Sequence, residues 1–180
     1  MKKIFVISAL IAAMFSQCYA QSITVEMYKT VKKGRGASVG RVVFKDIELK
    51  NGNHTVNGVL ITPHLHGLPP GEHGFHVHEI ANCANDGLAA GGHFDPGHTG
   101  KHLGPYQEGH LGDLPVLYVN KHGDSTTPVY APRLQVKDIL GHSLMIHAGG
   151  DNYSDSPEPL GGGGARIACG IIADKSKSKD

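Results

Sequence analysis

RVVFKDIELKNGNHTVNGVLITP, residues 41–63, is the stretch whose reading decides the fold. RVVFKDIEL and HTVNGVLITP are rich in β-branched residues and alternate apolar with polar positions, the period-two pattern of half-buried strands. Asn51, Gly52 and Asn53 between them carry turn chemistry. The same pattern returns outward in both directions, in SITVEMYKTV, GFHVHE, LPVLYVN, TPVYAPRLQV, SLMIHAG and ARIACGIIA. KKGRG, GLPPGEHG, NKHGD and LGGGGA punctuate these runs, and no segment after the first twenty residues has a convincing helical period. About eight short strands so divided predict an all-β antiparallel sandwich or barrel. Two long loops stand out, Cys83 to Leu114 and Ala148 to Ala165. The framework is β, and the chemistry is expected on those loops.

The chain has 180 residues. It opens on MKKIFVISALIAAMFSQCYA, in which Lys2 and Lys3 form a charged start, Ile4 to Phe15 an apolar run, and Cys18-Tyr19-Ala20 a small-residue cleavage site. Residues 1–20 are therefore expected to be a cleaved signal peptide, with 21–180 as one exported domain in the periplasm. The apolar run is too short to span a bilayer, so no stable membrane insertion is expected. Removing Lys2 and Lys3 turns the formal net charge of +1 slightly negative. No basic block or aromatic-basic patch is present, which argues against a nucleic-acid partner. Export leaves Cys83 and Cys169, and an even pair in an oxidising compartment reads as one disulfide.

Histidine carries the functional signal. In GFHVHE, His76 and His78 share one face of a strand while Phe75 and Val77 take the other, and His147 at the end of SLMIH can approach from a neighbouring strand. Three imidazoles suit copper or zinc, and nitrogen-rich tetragonal coordination suits Cu(II). GGHFDPGHTGKHLGPYQEGHLGDLP, residues 91–115, supplies a second set. His102, His110 and Asp113 with His93 give three nitrogens and one carboxylate, a closed tetrahedral set for zinc. Spacing alone does not choose between His98 and His102. His64 and His66 repeat the His-x-His spacing but run into the GLPPG turn, and His54 and His122 sit on turn signals, so all four read as exposed.

GFHVHE, GGHFDP, KHLGP, GHLGDLP, GHSLMIHAGGDNYSD and GGGGARIACG, in that order, resemble the bacterial periplasmic type of copper–zinc superoxide dismutase. The likeness runs from about Ser22 to Asp174. It implies an eight-stranded antiparallel Greek-key sandwich or barrel with two functional loops. It further implies copper on His76, His78, His93 and His147, zinc on His93, His102, His110 and Asp113, and His93 shared by both ions. Asp151 matches the acid that hydrogen-bonds histidines of both sites, Arg166 the arginine that attracts the anionic substrate, and Cys83–Cys169 the family's disulfide. His98 falls on no ligand position, and His73 matches a framework histidine.

The implied activity is dismutation of superoxide to dioxygen and hydrogen peroxide, an antioxidant defence, with His93 and Arg166 as the catalytic residues. His93 is expected to bridge the metals when deprotonated and to take up a proton when copper is reduced. A periplasmic copper and zinc buffer is the alternative; it needs the ligands but neither Arg166 nor Asp151. A zinc hydrolase would need an open zinc position, which four ligands close. CANDGLAAGG between Cys83 and His93 is shorter than in many bacterial relatives, where this loop contributes to subunit contact, so the implied homodimer is in doubt.

Overall fold

The structure, a computed structural model, describes residues 21–52 and 54–174; the expected signal peptide lies outside them. Nine strands run through the described residues: β1 (Ser22–Lys29), β2 (Ser38–Asn51), β3 (His54–Leu65), β4 (Gly71–His73), β5 (Phe75–His78), β6 (Leu117–Val119), β7 (Val129–Ala131), β8 (Ser143–His147) and β9 (Arg166–Ile171). Seven form one antiparallel sheet in the order β5-β8-β9-β1-β2-β3-β7, and β4 pairs with β6 in a separate ribbon. The pairings of β3 with β7, β5 with β8 and β9 with β1 join strands distant in sequence, as Greek-key crossovers do.

The opening stretch forms the longest pairing, β2 against β3, from Gly40↔Leu65 to Asn51↔His54. Its alternation puts Val42 and Phe44 of β2 and Val59 and Ile61 of β3 in the core, where Val25, Met27, Phe75, Leu144 and Ile146 meet them. The ribbon adds Leu117 and Val119 to that same core, so the seven-stranded sheet curls around one apolar interior. Burying such side chains stabilises the fold by roughly 1.5–3 kcal/mol each before chain entropy is counted.

Each predicted strand is present, with two departures from the sequence reading. GLPPGEHG, taken as punctuation, contains β4, which raises the strand number from the expected eight to nine. TPVYAPRLQV keeps only Val129–Ala131 as strand. Pro128 and Pro132 lack the N–H a ladder needs. Beyond them Val136–Ile139 forms a 3-10 turn whose Val136 and Ile139 are buried, with Asp138 accepting the Gln135 N–H at 3.0 Å. The remaining long segments are the two expected loops, one leaving β5 and one leaving β8. Cys83 in the first is bonded to Cys169 on β9, with Cα atoms 5.8 Å apart. No helix among the described residues is long and apolar enough to cross a membrane.

Candidate metal centre

β5 and β8 are buried on both faces. Phe75 and Val77 point into the core, while His76 and His78 take the other face and are sealed there by the loops. β5 is the edge of the sheet, and the first loop satisfies that edge. Val77 N–H donates to Gly112 O and Phe94 N–H to Val77 O, each at 2.9 Å. Gly112 permits this approach, since a Cβ there would collide with the Val77 carbonyl. The docking brings Asp113 opposite His76 and His93 opposite His78. His147, at the end of β8, completes the group with its ring centroid 4.9 Å from that of His76.

The hydrogen bonds of these rings reveal which nitrogens are free. His78 Nδ1–H donates to Gly91 O at 3.0 Å and His147 Nδ1–H to Gly164 O at 3.2 Å. Each ring then carries a lone pair on Nε2. Those two Nε2 atoms lie 3.4 Å apart, lone pair facing lone pair, with no proton to share. A cation between them resolves this arrangement. His76 and His102 show the opposite tautomer, donating from Nε2 to Asp151 Oδ2 and Oδ1 respectively, each at 2.7 Å. Their Nδ1 atoms are buried without a hydrogen-bond partner, as are His110 Nδ1 and Asp113 Oδ2. Buried polar atoms left without a hydrogen bond are costly unless an ion takes them.

Two groups of converging ligand atoms result. His76, His78, His93 and His147 form one; His76, His93, His102 and Asp113 form the other, with the atoms of each group within 4.8 Å of one another. His93 belongs to both. Its Nδ1 is 2.9 Å from Asp113 Oδ1, which leaves Nε2 for the all-histidine group, and its ring stacks on His76 with centroids 3.9 Å apart. The second tight group holds His76 where the sequence reading has His110. His110 stands just outside it, with Nδ1 3.4 Å from Asp113 Oδ1, while His102 Nδ1 is 3.0 Å from Asp113 Oδ2. Neither contact has hydrogen-bond geometry; the atoms are neighbours around a common point.

Electrostatics divides the two halves. Burial, followed by the neighbouring His93, lowers His76 to about 3 and His78 to about 2, and burial lowers His147 to about 4. These rings are neutral at pH 7, as metal ligands must be. Burial likewise lowers His93. His102 is also pulled down by burial, but Asp113 and Asp151 outweigh that and raise it to about 9. Burial works to raise both carboxyls, yet the histidine hydrogen bonds hold them below the usual range. Imidazoles alone on one side suit copper; imidazoles with a carboxylate on the other suit zinc.

Arg166 lines a cavity of about 540 Å³ together with His93 and His147. Its Nη1 and Nη2 donate to the carbonyls of Gly87 and Gly91 at 2.6 and 2.7 Å, so the guanidinium is fixed by the disulfide-bearing loop. The excluded histidines fall elsewhere. His98, His54, His64, His66 and His122 are exposed, and the buried His73 faces carbonyls with both nitrogens, Nδ1 2.7 Å from His147 O and Nε2 2.8 Å from Pro69 O, away from the ligand groups. Two contributors escaped the sequence reading. Gly161 packs so closely on Asp151 and His102 that any Cβ would strike Asp151 Oδ1. Asp155 accepts the backbone N–H of His102 at 2.9 Å. The four-glycine run gave a faint hint of the first, and no spacing rule signalled the second.

An antiparallel β fold that buries two adjoining histidine-rich ligand groups, with His76 and His93 common to both, defines a metalloprotein built to hold two ions. The family model for copper/zinc superoxide dismutase matches residues 38–172. A superoxide dismutase [Cu-Zn] from Legionella pneumophila is 50% identical over 157 residues, covering 87% of this chain and 90% of that one. Among solved structures, the Cu/Zn superoxide dismutase from Brucella abortus is 48% identical, with a TM-score of 0.70 over 84% of this chain and 99% of that one. The monomeric copper, zinc enzyme from Salmonella enterica is 51% identical, with a TM-score of 0.68 over the same shares. The chain belongs to the copper/zinc superoxide dismutase family.

Proposed function

We propose that residues 21–180 form an exported superoxide dismutase. Copper is held by His76, His78, His93 and His147, and zinc by His93, His102, His110 and Asp113. Two superoxide radicals and two protons give dioxygen and hydrogen peroxide. The observation that carries the assignment is His93: it and His76 both belong to the two ligand groups, but His76 spends Nε2 on Asp151, whereas His93 turns Nδ1 to the Asp113 side and leaves Nε2 for the all-histidine group. Copper, when bound, supplies a one-electron redox couple, which zinc cannot. The protein supplies the rest. Arg166 draws the anion into the cavity beside His93 and His147. His93 Nε2 holds and releases one proton per cycle, while its Nδ1, beside Asp113 Oδ1, is the nitrogen that would face the zinc. Asp151 sets the tautomers of His76 and His102 together, so that both present Nδ1 inward. A copper and zinc buffer would gain nothing from a guanidinium fixed over the cavity.

The charged and apolar N-terminal run supports cleavage after Ala20 and a periplasmic location. A homodimer is the one protein partner the family suggests. Against it stand the short Cys83–His93 connection and the monomeric relative from Salmonella enterica, and a single species of monomer mass on sedimentation would exclude it. Metal analysis with a superoxide-scavenging assay tests the function directly. Copper removal should abolish scavenging and readdition restore it, with zinc present throughout; activity surviving copper removal would overturn the assignment. His93→Ala should retain zinc weakly and lose the spectroscopic coupling between the ions. Unchanged spectra with both metals bound would remove the shared-ligand reading.

A further inference from the structure

The geometry points to Asp155 as a positioning residue that ties zinc binding to the wall of the substrate cavity, an inference that rests on the superoxide dismutase reading above. Asp155 uses its two carboxylate oxygens on two different loops. Oδ2 accepts the backbone N–H of His102 at 2.9 Å, and Oδ1 accepts the backbone N–H of Leu160 at 3.1 Å. His102 is a proposed zinc ligand in the first loop. Leu160 lines the cavity that contains His93, His147 and Arg166. One carboxylate thus spans both halves of the site.

Leu160 explains why the link matters. Its backbone is left-handed, with φ 55° and ψ 39°, and Gly161 after it has φ 77°. A non-glycine residue keeps that conformation only where its surroundings enforce it. Asp155 Oδ1 supplies the hold on the Leu160 N–H, and Asn152 N–H to Gly161 O at 3.2 Å secures the following residue. Asp151 does not duplicate the task. Its oxygens reach the His76 and His102 side chains and the Tyr153 N–H, and it makes no hydrogen bond to Leu160. When zinc fixes His102, Asp155 is fixed through the backbone and Leu160 through Asp155. Without zinc the anchor loosens and the cavity wall with it.

Amide hydrogen exchange on the purified mature chain, metal-free and zinc-loaded, reads this directly. In the wild type, zinc should slow exchange at the Leu160 amide and at Gly112, whose N–H bonds Phe94 O within the zinc loop. Asp155→Ala should abolish the zinc effect at Leu160, keep it at Gly112, and speed zinc transfer to a chromophoric chelator about tenfold, the usual scale for losing a partner outside the ligand shell. Asp155→Asn, with one acceptor oxygen for two donors, should fall between the two, and it serves if the alanine variant folds poorly. Asn152→Ala, which keeps the backbone bond to Gly161 but removes the side-chain bonds to Ser156 O and from the Ser154 N–H in the same loop, each 3.0 Å and neither touching His102, should leave zinc release at the wild-type rate. A zinc effect at Leu160 that persists in Asp155→Ala, or zinc release equal to that of Asn152→Ala, overturns the proposal. A wild type that takes up no zinc would instead defeat the functional reading on which it depends.

Discussion

Arg166 does two things with one guanidinium. Its forked donors grip the Gly87 and Gly91 carbonyls, and its charge faces the cavity shared with His93 and His147. Desolvation in that position lowers its pKa, but a guanidinium stays charged at any working pH. Arg166→Ala should therefore lower the second-order rate about tenfold or more at low ionic strength and flatten its salt dependence, with copper content unchanged. Arg166→Lys restores charge without the fork and should recover only part of the rate. Stopped-flow rates across a salt series measure both, and wild-type rates for the alanine variant at low salt would refute the steering role. Legibility at this scale was uneven. His76 and His78 were readable because strand alternation alone places them on one face. His98 and His102 were not separable by spacing, because the deciding facts are a loop path and the reach of Asp151, neither of which is periodic.

The two loops are the elements on which the site depends, and each is tied to the framework by specific contacts rather than by an apolar interior of its own. In the first, Cys83 bonds Cys169 while Val31 and Lys32 carbonyls accept the N–H groups of Asp86 and Asn85. The segment so held presents the Gly87 and Gly91 carbonyls to Arg166. Closing an 86-residue separation restricts the unfolded chain by about 4.6 kcal/mol in the loop-entropy picture. The double change Cys83→Ser with Cys169→Ser should lower stability by roughly that amount in urea titrations. It should also reduce turnover more than it reduces metal content, because Arg166 loses its anchors. Turnover per bound copper equal to wild type would show that the disulfide stabilises without positioning. The strands were legible as elements because period-two burial is local. β4 was missed because GEH is too short for a period to register, and TPVYAPRLQV was over-read because β-branched residues outweighed the prolines that break the ladder.

Across the whole molecule the buried histidines make stability depend on pH in two opposite senses. His76, His78 and His147 lie at about 3, 2 and 4 in the folded chain, against about 6.5 unfolded. The unfolded chain therefore binds more protons below about pH 6.5, and the stability these rings contribute above that value drains away as pH falls towards 4 and lower. The depressed Asp113 and Asp151 add to the loss at the acid end. His102 has the reverse sign. Raised to about 9 by its two carboxylates, it contributes stability that is complete below about pH 6.5 and is lost as pH rises through 9. The metal-free protein should thus be most stable near neutrality, with its urea midpoint falling on both flanks by an amount worth a few kcal/mol at pH 4.5. Zinc loading removes the alkaline flank, since the ion replaces the proton on His102 Nδ1, but sharpens the acid one, because ligands that protonate release the ion. Urea midpoints measured from pH 4.5 to 10 with and without zinc distinguish these contributions. A metal-free midpoint that holds level from pH 7 to 4.5 would mean that the folded rings take up protons as readily as the unfolded ones, and the neutral, cation-ready site inferred from their hydrogen bonds would have to be given up.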